Sequence, residues 1–211
     1  MNTEYHKIQS IFKRDMSSKN KNLLDGQYTL PEFVYLKNNV WVFTEKVDGT
    51  NIRVEFKDNK ITFGGRTDNA QIPASLVTRL NDIFNPLLNK FQEIFHDGVI
   101  LYGEGYGAKI QKGGGNYKSY QDFVLFDVKI GEWWLLRDDV EDIANKLNID
   151  IVPIIGKSTL LDAVNMTKKG ITSAWGNFQA EGIVARPEVE LRTRNNSRLI
   201  TKIKCRDFNY E

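Results

Sequence analysis

The chain has 211 residues, of which 41% are hydrophobic and 27% charged, and its formal net charge is +2. These values fit a globular protein with a sizeable core and exclude a disulfide scaffold, since Cys205 is the one cysteine. They also exclude a partner announced by overall charge, so any basic surface for nucleic acid must come from local clustering.

Only His6 and His96 are present, too few for a histidine-based zinc site or a Ser-His-Asp triad. No apolar run approaches the roughly 18 residues of a membrane span. The N-terminal MNTEYHKIQS lacks the apolar stretch of a signal peptide, so the reading is a cytoplasmic protein. No repeat or linker interrupts the chain, and residues 1–211 read as a single domain.

The first predicted elements are strands at 40–45, 51–57 and 60–65, rich in β-branched and aromatic residues, with KDNK as a tight turn between the last two. Together they read as a β-meander. Residues 75–95 carry Leu76, Leu80, Phe84, Leu87, Leu88 and Phe91 at helical spacing, and Pro86 predicts a kink or two shorter helices. GVILYGEGY follows as a strand, then a loop with Gly113–Gly115, then DFVLFDVKI and EWWLL joined by a short turn. Helices are predicted at 138–147 and 158–168, with Ser158 as a cap. The last strands, EGIVAR and SRLITKIKC, flank a loop carrying several arginines. Strands in hairpin-like succession with inserted helices predict an α+β fold with largely antiparallel sheets. GEGYG lacks the strand, turn and helix context of a dinucleotide fingerprint.

Residues 44–51, TEKVDGTN, pose the central question. An Asp-Gly pair between strands is a hairpin signal, and a charged turn rim accounts for it. The alternative is a nucleophilic lysine at a strand end. Further charges at strand ends or within strands, in GEG, EGIVAR and KIK, favour the second, because half-buried strands rarely hold charge without a partner or a task.

These segments, EKVDGTN, FGGRTD, LYGEGYGAKIQKGG, DFVLFDV, EGIVARP and ITKIK, resemble in type and order the motifs of the covalent nucleotidyltransferase superfamily of ATP-dependent ligases and capping enzymes. The likeness is greatest to the RNA ligase 2 and RNA-editing ligase family. It implies the ligase adenylation fold, ATP-grasp-like, with antiparallel sheets and flanking helices. It also implies an ATP-dependent RNA ligase that uses Mg²⁺, with Mn²⁺ as a substitute, and forms a covalent lysyl-AMP. The AMP then passes to an RNA 5′-phosphate, and a 3′-hydroxyl displaces it, with a nicked duplex as the expected substrate and no obligatory protein partner.

By the same resemblance Lys46 is the nucleophile. An amine must be neutral to attack, and at pH 7 a free lysine, with a pKa near 10.4, pays about 4–5 kcal/mol for that state. Nearby cations and desolvation reduce this penalty. Glu45 helps recognise adenine, Glu104 accepts from a ribose hydroxyl, and Phe126 stacks on the base, although a strand phenylalanine is equally well explained as core. Glu181 binds or orients the metal, while Lys202 and Lys204, on one strand face by the period-2 rule, contact the α-phosphate. Asp48 positions the turn or assists a later step.

Asn51 stands where DNA ligases carry arginine, which tilts the acceptor toward RNA, and its expected role follows lysine adenylylation. Arg66 matches an arginine that handles the ribose or the 5′-phosphate, work suited to a guanidinium fork. Lys109 and Lys112, with Gln111, resemble the segment after the GEG motif. Arg192 and Arg194 belong to a basic run from 186 to 206 that can neutralise phosphates, though a solvated loop explains them too. Most relatives continue into a C-terminal domain, whereas this sequence ends seven residues after KIK, so the expectation is a catalytic domain without that accessory domain. The alternatives are a DNA ligase core, which shares the first step, and a nucleic-acid-binding module that lacks catalysis. Phage relatives hint at a viral source, which would place the protein in the host cytoplasm.

Overall fold

The structure is a computed structural model that describes residues 3–19 and 21–208. In chain order the strands are β1 (Gln9–Ser10), β2 (Phe12–Arg14), β3 (Leu23–Tyr28), β4 (Val40–Lys46), β5 (Thr50–Lys57) and β6 (Lys60–Gly65). They continue as β7 (Val99–Gly107), β8 (Gln121–Ile130), β9 (Trp133–Trp134), β10 (Ile154–Thr159), β11 (Gly182–Pro187) and β12 (Thr201–Lys204). The helices are α1 (Pro31–Leu36), α2 (Ala74–Phe84), α3 (Leu88–Ile94), α4 (Arg137–Leu147) and α5 (Leu160–Lys168). The α+β class follows, with every strand pairing antiparallel except β1 with β12.

The chain divides into two compact units, one of Met1–His6 with Asp48–Val152, the other of Lys7–Val47 with Pro153–Glu211. Neither is a continuous segment, because the chain passes between them after residues 6, 47 and 152. The first unit holds the sheet β6-β5-β7-β8-β9. Its core gathers Ile52, Val54, Leu101, Phe123 and Leu125 from the strands with Leu76, Leu80, Phe84 and Phe91 from the helices. The second unit holds the sheet β1-β12-β11-β4-β10 and the small β2-β3 pair, packed around Phe33, Trp41, Phe43, Leu160, Val164 and Ile183.

Several sequence expectations reappear with sharper bounds. The 75–95 helix is interrupted at Asn85–Leu87, where Pro86 sits in a 3-10 turn between α2 and α3. KDNK closes β5 onto β6 with Lys57 opposite Lys60, and Asp58 and Asn59 both have positive φ (49° and 58°), as a type I′ hairpin requires.

The meander over 40–65 is corrected: β4 pairs with β10 and β11 in one unit, while β5 and β6 lie in the other sheet. The Asp-Gly pair is therefore a crossover rather than a hairpin. Of the EWWLL strand only Trp133–Trp134 pair with β8. Ser158 does not cap α5. Thr159 does, its side chain accepting from the Asp162 amide at 3.1 Å in a reciprocal capping box. The strands and helix between 9 and 36, and β10, had no counterpart among the predicted elements.

Candidate active site

In the second unit, register brings the charged motifs to one sheet face. Gly182 of β11 lies opposite Lys46 of β4 on one side and Lys204 of β12 on the other, so the three form a cross-strand row. A Cβ on Gly182 would lie 2.0 Å from the Ile203 carbonyl oxygen, and its φ of +154° suits glycine alone. The residue between the two lysines therefore has no side chain, and Glu181 serves both of them. Its Oε2 accepts from Lys46 Nζ at 2.7 Å and its Oε1 from Lys204 Nζ at 2.5 Å. In the next row Lys202 lies opposite Val184 on the same face, and one row further stands Arg186.

One carboxylate thus faces a surplus of cations. Burial pushes the Glu181 carboxyl up, but Lys46 and Lys204 outweigh it and hold it below its usual range. Lys202 moves the other way: burial first, then repulsion from Lys204 and Lys46, lowers its pKa below the model-compound 10.5. Between the lowered folded value and 10.5 the unfolded chain binds more protons, so stability rises with pH across that interval, and the repulsion is fully present below it. Replacing Lys202 by Met is therefore expected to raise Tm at neutral pH. Relief of about 1 kcal/mol corresponds to about 2–4 °C for a chain of this length, and the gain should shrink as pH approaches 10.5. Thermal unfolding of both proteins over a pH series checks it, and a lower Tm for the Met variant at pH 7 would mean that Lys202 is stabilised where it stands.

Glu45 lies on the opposite face of β4 from Lys46, beside Trp41 and Phe43 in the strand's buried set. Only 1% exposed, its carboxylate accepts from Ser173 Oγ and from the Ala174 amide, both at 2.7 Å. Ser173 Oγ accepts in turn from the Trp175 amide. Glu45 therefore fixes the turn that precedes β11, a role that sequence could not reveal because the partner loop has no motif.

In the first unit, Asn51 of β5 and Glu104 of β7 are direct cross-strand partners. Asn51 Oδ1 is buried without a hydrogen-bond partner among the described residues. Gly49 crosses the backbone of β7 so closely that a Cβ would lie 2.3 Å from the Gly105 carbonyl oxygen and 2.8 Å from Glu104 Cγ. Glycine is thus required there for close approach rather than for a hairpin. The Asp48 amide donates to the Tyr117 hydroxyl at 3.3 Å, and Gln111 Nε2 donates to the Gly49 carbonyl at 3.1 Å.

Phe126 sits at a register shift: Tyr102 pairs with Asp127 and Gly103 with Leu125, leaving Phe126 as the extra residue of a bulge. The bulge brings Phe126 and Asp127 to the same neighbour. Tyr5 packs edge-on against the Phe126 ring at 5.2 Å and donates its hydroxyl to Asp127 Oδ2 at 2.7 Å. Arg66 is exposed just after β6, and its carbonyl accepts from the Tyr5 amide. Within FGGRTD, Gly64 makes room for another arginine: Arg53, 7% exposed, pairs with Asp68 at 2.6 Å and donates to Thr3 Oγ1.

Among the basic candidates, Lys109, Lys112, Arg192 and Arg194 are all exposed. Arg198 is not available in that way, being 8% exposed and paired with Glu190 at 2.7 Å. No helix among the described residues is long and apolar enough to cross a membrane.

Comparison with solved structures finds Naegleria gruberi RNA ligase repeatedly. A lysine-to-alanine variant with ATP and Mn has a TM-score of 0.67 at 21% identity, covering 95% of this chain and 60% of its own. The ligase with PPi has a TM-score of 0.66 at 20% identity, covering 97% and 60%. A lysine-to-methionine variant with AMP and Mn has a TM-score of 0.65 at 21% identity, covering 82% and 52%. At such identities the likeness establishes the fold, and the chain spans between about half and three-fifths of those proteins' length. No curated protein sequence matches the chain. The RNA ligase family profile, however, matches residues 39–204, from β4 through β12, and the chain belongs to the RNA ligase family.

Proposed function

We propose that the protein is an ATP-dependent RNA ligase in which Lys46 attacks the α-phosphorus of ATP, forming a lysyl-AMP phosphoramidate and releasing pyrophosphate. The AMP then moves to an RNA 5′-phosphate and is displaced by a 3′-hydroxyl. The observation that carries this reading is the row Lys46–Gly182–Lys204 with Lys202 beside it. There an amine at a strand end shares the Glu181 carboxylate with Lys204, in a cationic surface suited to phosphates.

The remaining roles are proposed from the family likeness. Glu104 accepts from a ribose hydroxyl, and the bulge at Phe126 supports a ring turned out of the sheet to stack on adenine. The pairing of Glu45 with Ser173 and Ala174 supports an indirect part in adenine recognition, through the turn it holds. Asp48 is assigned to positioning the crossover, and Arg66, Lys109, Lys112, Arg192 and Arg194 to the RNA. The whole chain is read as one catalytic domain, consistent with units that each draw on discontinuous segments.

A divalent ion, Mg²⁺ or Mn²⁺, would neutralise charge on the phosphates. Among the described residues no three His, Cys, Asp or Glu side chains come together to cage a metal. Glu181 as one carboxylate fits an ion that keeps waters and arrives with the nucleotide phosphates.

Incubation with α-labelled ATP and Mg²⁺, followed by denaturing electrophoresis, tests the first step, and an unlabelled wild type sinks the enzyme reading. Sealing of nicks with RNA or DNA on the 3′-hydroxyl side tests the acceptor. Equal or better sealing of all-DNA nicks counts against RNA.

Asn51 gives a finer test. A buried amide oxygen without a donor costs free energy that a substrate hydroxyl recovers, so Asn51→Ala is expected to keep lysine labelling and equal or exceed wild-type Tm, yet to lose about 10- to 100-fold in sealing. Failure of that variant to form the adduct would move Asn51 to the first step.

A further inference from the structure

The first unit carries an open surface cavity of about 570 Å³, lined by Ser75, Thr78, Arg79 and Asp82 of α2, by Tyr120 and by Gln121 at the start of β8. Tyr120 is 53% exposed, so its ring is open to contact from solvent. It is flanked by two cations, with Arg79 Cζ 5.7 Å and Lys118 Nζ 5.5 Å from its centroid. Both cations are pinned by the buried Asp122, at 3.1 and 2.6 Å, and Lys118 also by Asp150 at 3.1 Å. The ring therefore stands on a rigid polar frame.

Arg79 Nε and Gln121 Oε1 are buried away from solvent without a hydrogen-bond partner among the described residues, and the Gln121 amide nitrogen donates to the Ala108 carbonyl. A phosphate is a poor occupant: Arg79 and Lys118 already face Asp82, Asp122 and Asp150, so the site offers no net positive charge. A nucleobase is a better one, because it brings a flat, uncharged π face to the exposed Tyr120 ring.

We infer that this cavity receives an unstacked base of the RNA substrate, held against the Tyr120 ring. The inference rests on the RNA ligase reading for the identity of the strand. It adds a sequence-tolerant contact that is independent of phosphate charge.

The test uses a short fluorescein-labelled oligoribonucleotide and, for mapping, the same oligomer substituted with 5-iodouridine. By anisotropy, Tyr120→Ala is expected to bind about tenfold more weakly and Tyr120→Phe within about twofold of wild type. The slope of log affinity against log salt should be unchanged in Tyr120→Ala, since no phosphate contact is lost. Photocrosslinking should map to the peptide containing Tyr120.

Wild-type affinity in Tyr120→Ala, a shallower salt slope, or crosslinks confined to other peptides overturns the inference. So does a Tyr120→Ala variant whose only change is in self-association, which would make the cavity a protein contact. Lysyl-AMP labelling of the wild-type preparation reads the ligase assignment separately. An unlabelled wild type with Tyr120-dependent RNA binding removes the enzyme reading and keeps the base site, while a labelled one without that dependence does the reverse.

Discussion

Lys46→Ala is expected to abolish the covalent AMP adduct, by at least about 10³-fold relative to wild type, when the proteins are incubated with α-labelled ATP and divalent metal. Lys46→Arg should be equally inactive, and this second variant isolates the cause. Arginine retains the charge that Glu181 binds at 2.7 Å, but a guanidinium does not lose its proton and cannot attack phosphorus. Arg at this position should therefore preserve most of the thermal stability while losing the chemistry. In wild type, labelling should accelerate as pH rises through the neutral range, because the amine rests in an ion pair and must shed a proton first. Labelling of Lys46→Ala at the wild-type rate would place the nucleophile elsewhere.

What could be read in advance was local. Strands, the KDNK hairpin and the break at Pro86 depend on periodicity and on residues that fix φ, and all lie within a few positions of one another. The row that joins Lys46 to Glu181 and Lys204 depends on pairing across 135 residues, which no local pattern contains. The same limit explains the false meander: TEKVDGTN has the residues of a hairpin, but the partners of β4 are β10 and β11, and the pattern within a strand does not name its neighbours.

Phe126 is a second case. Period-2 alternation assigns it to a face only if the register is unbroken, and the bulge between Leu125 and Asp127 breaks it. Glu45 is different, since alternation already separates it from Lys46, and its burial beside Trp41 and Phe43 was legible in the strand itself. What was illegible there was the turn at Ser173 that satisfies it.

Glu181→Gln tests whether the shared carboxylate works on the substrate or only balances the lysines. The substitution keeps the shape and removes the charge that Lys46 and Lys204 contact at 2.7 and 2.5 Å, beside a third lysine, Lys202. Tm should fall at neutral pH. The carboxyl is held below its ordinary value by the two lysines despite burial, so its contribution is complete above the unfolded value of 4.5 and lost as pH falls through the lower folded value. The Tm difference between wild type and Glu181→Gln should accordingly shrink on acidification below 4.5 and vanish below the lower folded value.

For adduct formation two effects oppose each other. A carboxylate beside Lys46 favours the protonated amine, so its removal by itself would speed labelling at neutral pH. If Glu181 also orients the phosphates and their cation, its removal disorganises charge stabilisation in the transition state, an effect on the order of 10²–10³-fold. The second effect exceeds what easier deprotonation returns, and the expected result is slower labelling with a pH profile displaced toward lower pH. Faster labelling at pH 7 would mean that Glu181 is a counter-ion alone, and that the phosphates are handled by the lysines without it.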